Sequence, residues 1–242
     1  MNKATAMILA AGRGERMRPL TDTCPKPMLL VRGKPLIQWH LEALSLQGNQ
    51  HLLVNTAWLG NHIQRGLGDG SSLGLQIQYS HEGEDFGHAL ETAGGISRAL
   101  PMLADTFWLV AGDVFAPDFV FAKTAYDKFA LSNMQAHLWL VPNPAHNPNG
   151  DFGLSAAGLA LNLPQDSNLP KWTYSTIGLY KQAFFAEALT GIPTGNPHGV
   201  KSALAPLLRA AMDKSLVSAQ IYADRWMDVG TPERLQELNL GT

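Results

Sequence analysis

The segment Leu9-Ala10-Ala11-Gly12-Arg13-Gly14-Glu15-Arg16-Met17, followed by Pro25-Lys26-Pro27, carries residue types suited to holding a polyphosphate. Glycines let backbone N–H groups approach phosphate oxygens, and guanidinium and ammonium groups neutralise their charge. Seven Lys/Arg and two acids fall in the first 34 residues, a local charge of +5, against −7 for the remaining 208. Two aspartates extend the pattern. Asp113 follows the apolar run Phe107-Trp108-Leu109-Val110 and a glycine, and Asp228 follows Trp226-Met227 just before Gly230. Mg²⁺ takes one or two carboxylates together with substrate phosphate oxygens, so two aspartates at strand ends suit it. Asp113 also fits a turn or cap aspartate, whereas at Asp228 the cap role passes to Thr231-Pro232-Glu233. These residues together predict a nucleoside triphosphate site.

The glycine pattern rules out a P-loop and disfavours a dinucleotide-dependent oxidoreductase, which stays as a third reading. No Gly-Lys-Ser/Thr follows the turn, so it is not a P-loop, and Met17 occupies the third glycine position of the dinucleotide fingerprint. Lys26 between two prolines predicts a stiff, extended strut. Gly94-Gly95 lies in a predicted helix, where each glycine costs about 1 kcal/mol relative to alanine. A nucleobase or sugar approaching that backbone and close helix–sheet packing both account for it. The eight histidines show no metal-binding spacing. His137 and Trp39, Trp58, Trp108 and Trp139 are expected in the core, and His40 on a helix face.

The elements that must position these groups alternate along the chain. Ala4–Leu9, His51–Asn55, Leu75–Tyr79 and Phe107–Val110 read as strands, and helices are predicted from Pro35 to Gly48, Trp58 to Leu67 and Leu90 to Leu103. This order implies an α/β fold with a mostly parallel sheet, whose ligands lie beyond the carboxyl ends of the strands. Gly12 and Asp113 both fall at such ends. Later strands are expected at Ala136–Val141, Thr173–Tyr180 and Val217–Tyr222, with a helix from Ser202 to Met212. The polar, proline-rich loop from Pro142 to Gly150 is expected to fold over a ligand.

Composition sets the outer bounds. With 45% hydrophobic and 16% charged residues the chain builds a sizeable core, and 1–242 is expected to be a single domain. A net charge of −2 argues against nucleic acid as partner. No apolar run reaches the roughly 20 residues of a membrane span, and no signal-peptide pattern precedes the first strand. The single Cys24 excludes an intrachain disulfide. A cytoplasmic protein, monomeric or a small homo-oligomer, is the expectation.

The motif Leu9 to Met17 with Pro25-Lys26-Pro27, the Ala111-Gly112-Asp113 turn and the late Asp228-Val229-Gly230-Thr231-Pro232-Glu233-Arg234-Leu235 together resemble the sugar-1-phosphate nucleotidylyltransferases. Ala57–Gly60, Ala89–Thr92, Pro142–Pro144, Gly150–Gly153 and Tyr174–Gly178 resemble the short members that uridylylate N-acetylmuramate 1-phosphate in cell-wall recycling. The resemblance implies a Rossmann-like three-layer sandwich of the nucleotide-diphospho-sugar transferase type. It implies that an NTP and a sugar 1-phosphate yield an NDP-sugar and pyrophosphate, with Mg²⁺ as cofactor. By motif, Arg16, Lys26 and Asp113 would be catalytic. Ala10, Ala11, Gly12, Gly14, Arg16, Lys26, Gly94 and Gly95 would bind the nucleotide. Glu91, Asp151 and Ser175 would contact the sugar, and Asp113 and Asp228 the metal. Ala111 and Ala93 depart from the family pattern, where asparagine and a third glycine are common. Another base, another sugar or alcohol phosphate, and a non-catalytic sugar-nucleotide regulator are the alternatives.

Overall fold

The computed structural model describes residues 2–240; Met1, Gly241 and Thr242, the ends of the expected 1–242 domain, lie outside the described residues. The strands that form the main sheet are β1 (Ala4–Ala10), β2 (His51–Thr56), β3 (Gln76–His81), β4 (Leu103–Ala111), β5 (Ala136–Val141), β6 (Phe152–Leu154), β7 (Ala160–Leu161), β8 (Lys171–Lys181) and β9 (Val217–Ile221). The longer helices are α1 (Leu36–Leu46), α2 (Gly60–Leu67), α3 (Glu91–Ala99), α4 (Lys123–Ala130), α5 (Leu204–Met212) and α6 (Pro232–Leu240).

Across the sheet the strands run β3-β2-β1-β4-β8-β5-β9, with the β6–β7 hairpin added beside the start of β8. β1 is parallel to β2 and β4, β2 to β3, and β5 to β9, while β8 runs antiparallel to both β4 and β5. The near-continuous apolar runs of β1 and β4 follow from burial on both faces. Successive side chains alternate between the two layers. Ala6 and Ile8 pack with Ile37, Leu41 and Leu44 of α1. Met7 packs with Ile96 of α3 and Leu204 and Leu208 of α5 on the opposite face. The result is an α/β sandwich with a mostly parallel central sheet and helices on both sides.

A third, smaller core lies behind the phosphate-binding motifs. Met17, Val31, Leu36, Phe115 and Val229 meet there, all with 0% exposure. A two-stranded ribbon, Val114–Phe115 against Met227–Asp228, runs past it. Loop residues around both sequence aspartates are thereby anchored to one apolar cluster.

Several predicted elements shift. The helix expected to reach Leu103 ends at Ala99, because Pro101 lies in a 3₁₀ turn and Leu103 already opens β4. Helix α4 and the β6–β7 hairpin were not among the predicted elements. The glycines of α3 belong to packing. A Cβ on Gly94 would stand 2.5 Å from the Val200 carbonyl oxygen, and one on Gly95 would stand 2.4 Å from Glu82 Oε1.

His40, on α1, is buried rather than simply on a helix face, and its Nε2 lies 2.7 Å from the Val114 carbonyl oxygen. Burial pushes its pKa down from 6.5 to about 4, outweighing the carbonyl and the nearby Asp113 charge. His137 is likewise lowered to about 4 by burial, with Ser218 Oγ at 2.8 Å from its Nδ1. A folded-state pKa below the unfolded value gives stability that is complete above about pH 6.5 and lost as pH falls toward 4. For His40 the full loss is on the order of 3 kcal/mol. Denaturant unfolding of His40→Gln should therefore show a shallower decline between these pH values than the unsubstituted chain; parallel declines would contradict the buried neutral assignment.

Candidate active site

A cavity of about 910 Å³ opens beyond the carboxyl ends of β1 and β4. β1 delivers Ala10 and Ala11 to its wall, and the Ala10 N–H donates to Asn55 Oδ1 at 2.8 Å. The chain then turns through Gly12 and Gly14 into a single 3₁₀ turn, Glu15–Met17. Gly14 sits in the left-handed region at φ 67°, and a Cβ there would stand 3.0 Å from the Thr21 methyl. Thr21 Oγ1 donates to the Gly14 carbonyl at 2.8 Å and braces the turn. Gly12 differs, because a Cβ built on it would meet nothing within 4 Å. Neither φ nor intramolecular packing requires glycine there, so the open space belongs to the cavity. Arg16 is exposed on the wall and has no ion-pair partner among the described residues.

Arg13 does not join Arg16. Its guanidinium stacks 3.5 Å above the Trp58 ring, and Nη2 pairs with Asp22 at 3.2 Å. Trp58 is half-buried and donates Nε1 to the Thr21 carbonyl at 2.9 Å, so it supports the turn from outside rather than filling the core.

Lys26 opens a 3₁₀ turn instead of standing on an extended strut. Its side chain is nearly buried, and Nζ reaches Asp113 Oδ2 at 2.6 Å. Pro27 and Lys26 both line the cavity with Asp113. Asp228 does not itself line the cavity; the neighbouring Gly230 does, and the Val229 N–H ties the Asp228 loop to the Asp113 carbonyl at 2.8 Å. Arg234 Nη1 holds Asp228 Oδ2 at 2.6 Å and its backbone carbonyl at 3.0 Å. His146 Nε2 stands 2.9 Å from Asp228 Oδ1 but out of line for a hydrogen bond, leaving that buried oxygen without a donor. No cluster of three or more His, Cys, Asp or Glu occurs among the described residues, so a cation here would draw on these two carboxylates and on ligand oxygens.

The far wall comes from β6, β8 and α5. Asp151 faces the cavity, with Oδ1 accepting from Asn147 Nδ2 at 3.1 Å and Oδ2 from the Tyr174 N–H at 2.8 Å. Asn147 thereby pins the 142–150 loop to the sheet. Glu91, exposed and at φ 59°, lines the same cavity. Ser175 does not. It is fully buried, and its Oγ donates to the Trp139 carbonyl at 2.7 Å. The register of β8 against β5 slips between Tyr174 and Gly178, and Thr176 adopts φ 62°. Alternation along β8 sends Tyr174 and Thr176 to the cavity and the intervening Ser175 inward. Gly94 and Gly95 are also buried off the wall.

Asn55, Glu82 and Arg209 are among the wall residues that the sequence reading missed. Asn55, one residue before the end of β2, donates Nδ2 to Glu82 Oε1 at 2.6 Å and accepts from the Ala10 N–H. Glu82 is buried, which raises its carboxyl pKa, and its Oε2 accepts from the Leu90 N–H at 2.8 Å. A polar residue at the carboxyl end of an apolar strand was the available signal for Asn55. Arg209, inside an Ala/Leu-rich helix, offered none.

Gly12→Ala should weaken nucleotide binding about tenfold or more without lowering the thermal midpoint, because the added methyl enters only ligand space. Gly14→Ala should instead cost about 1–2 kcal/mol of stability through its left-handed backbone. Calorimetric titration with UTP and thermal unfolding of both variants check this; undiminished UTP affinity in Gly12→Ala would contradict it.

The nucleotidyl transferase family profile matches residues 5–242. The chain is 47% identical over 240 residues to an N-acetylmuramate alpha-1-phosphate uridylyltransferase of Neisseria meningitidis serogroup B, covering 96% of this chain and 95% of that one. It is 31% identical over 236 residues to a UTP–glucose-1-phosphate uridylyltransferase of Synechocystis sp., covering 93% of this chain and 60% of that longer protein. Among solved structures, a putative glucose-1-phosphate thymidylyltransferase from Bacillus anthracis superposes with a TM-score of 0.78 at 19% identity, covering 98% of this chain and 94% of that one. That likeness shows the fold. The match along nearly the whole chain, on a sheet that brings Lys26 and Asp113 together at its carboxyl edge, places the chain in the nucleotidyl transferase family.

Proposed function

We propose that the chain joins UTP and N-acetylmuramic acid 1-phosphate into UDP-N-acetylmuramic acid with release of pyrophosphate. The Lys26–Asp113 pair on the cavity wall carries the reading, because it places a nearly buried ammonium where a triphosphate would lie between the β2 and β8 sides. The 47% identity to the Neisseria uridylyltransferase over almost the full length of both chains supports the choice of base and sugar.

In this reading a phosphate oxygen of the sugar phosphate attacks the α-phosphorus of UTP in line. The new P–O bond forms as the bond from the α-phosphorus to the α,β-bridging oxygen breaks, and that oxygen leaves with pyrophosphate. The attacker is already an anion, so no protein base is required; positioning and charge neutralisation supply the catalysis. Lys26 meets the α-phosphate oxygens, Arg16 the outer phosphates, and the open backbone at Gly12 lets the triphosphate lie close to the turn. Asn55 and Glu82 line the side of β2, where the base would lie. Asp151 and Thr176 line the sugar side, and Glu91 lines the same cavity.

Asp113 has one oxygen on Lys26 and is partly exposed, while Asp228, behind the wall, has Arg234 on one oxygen and His146 2.9 Å from the other. Asp113 and Asp228 would hold a Mg²⁺ ion, which would supply neutralisation of phosphate charge. In this reading the reaction belongs to the cytoplasm, as a step in recycling of cell-wall sugars.

Pyrophosphate release measured with UTP, GTP, CTP and dTTP against several sugar 1-phosphates tests the reading. UTP with N-acetylmuramic acid 1-phosphate should be preferred, require Mg²⁺, and fall about 100-fold or more in Asp113→Asn. Full activity in that variant would remove Asp113 from the chemistry, and preference for another pair would overturn the substrate assignment.

A further inference from the structure

The cavity crosses the sheet in three sections. Asn55 and Glu82 mark the side of β2 and β3, Lys26 and Asp113 the ends of β1 and β4, and Asp151 and Thr176 the side of β6 and β8. β8 lies two strands from β1, a span of about 10 Å at ordinary strand spacing. Three basic side chains reach the wall. Arg16 and Lys26 belong to the middle section, whereas Arg209, near the end of α5, stands alone in the third.

Arg209 is held but not neutralised. Nη1 donates to Asn162 Oδ1 at 2.8 Å and Nη2 to the Asp151 carbonyl at 3.3 Å, both neutral acceptors. The guanidinium carbon lies 5.0 Å from the centroid of the Phe152 ring, which fixes its plane. Among the described residues no carboxylate lies within 4.0 Å of it. The nearby Asp151 carboxylate is engaged by Asn147 and the Tyr174 N–H, and Asp213 reaches Arg209 only through the Asn162 amide, 3.0 Å away. A guanidinium has five N–H donors, so this one keeps unused donors and an unbalanced charge beside the sugar section.

Every phosphate of the proposed reaction lies in the middle section, which leaves this cation without a phosphate to meet. Muramic acid carries one further anion, the carboxylate of its lactyl ether. We infer that Arg209 receives that carboxylate and is the residue by which the site distinguishes an acidic sugar phosphate from a neutral one. Asn162 and Phe152 orient the planar fork, whose geometry matches a carboxylate in a way an ammonium does not. The inference rests on the proposed uridylyl transfer and goes beyond it by assigning the selectivity to a residue.

The test crosses a substrate change with a side-chain change. N-acetylmuramic acid 1-phosphate and its lactyl carboxamide, which is uncharged at that group and nearly the same in shape, are compared as substrates with UTP. The enzyme as it stands should prefer the acid by about tenfold or more in kcat/KM. Arg209→Gln should remove that preference, mostly by raising KM for the acid, and Arg209→Lys should retain part of it. Equal losses for acid and carboxamide in Arg209→Gln would mark Arg209 as a structural tie between α5 and β6 and overturn the inference. Should Arg209→Gln not fold, Arg209→Lys decides alone: an undiminished acid preference overturns the inference and a reduced one supports it. If the unsubstituted enzyme turns over neither compound, uridylyl transfer to muramic acid itself fails, and the assignment of Arg209 falls with it.

Discussion

The ion pair between Lys26 and Asp113 is the contact on which the rest of the site depends. It joins two loops 87 residues apart, one following β1 and the other following β4, at 2.6 Å. The lysine side chain is 11% exposed and the aspartate 39%, so desolvation falls mainly on the ammonium. A nearly buried ammonium stripped of its carboxylate is costly unless another anion replaces it. A phosphate is such an anion. The same arithmetic that makes the pair necessary in the free chain makes Lys26 ready for ligand phosphate, and leaves Asp113 with a partly exposed carboxylate.

Both loops gain their precision from apolar contacts behind them. Met17 from the glycine turn, Phe115 from beside Asp113 and Val229 from beside Asp228 share one small core. His40 adds a buried contact to the Val114 carbonyl on the same ribbon. The charged groups therefore sit on a scaffold whose cohesion does not depend on them. The reversed strand β8 completes the enclosure, since its Tyr174 and Thr176 form part of the far wall.

What was legible in the sequence is what is local. The β1–glycine turn, Lys26 between its prolines, and the two aspartates each announce themselves within a few residues, and strand order then brings their strand ends together. The positions that misled were those decided by distant partners. Gly94 and Gly95 read equally well as ligand contacts, until Val200 and Glu82 occupy the space that side chains would fill. Ser175 reads as a sugar contact within its motif, yet alternation along β8 buries it against the Trp139 carbonyl while Tyr174 and Thr176 face the cavity. Arg13 looks like Arg16 in sequence, yet Trp58, 45 positions along the chain, draws it away from the cavity. Asn55, Glu82 and Arg209 become site residues only once β2, the end of β3 and α5 converge.

The most direct test of the central claim is a crystal structure of the chain with UTP bound. Lys26 Nζ should have left Asp113 Oδ2 for oxygens of the α-phosphate, with the triphosphate against the backbone of Gly12 and the base toward Asn55 and Glu82. A triphosphate bound elsewhere, with the Lys26–Asp113 pair intact, would contradict the account.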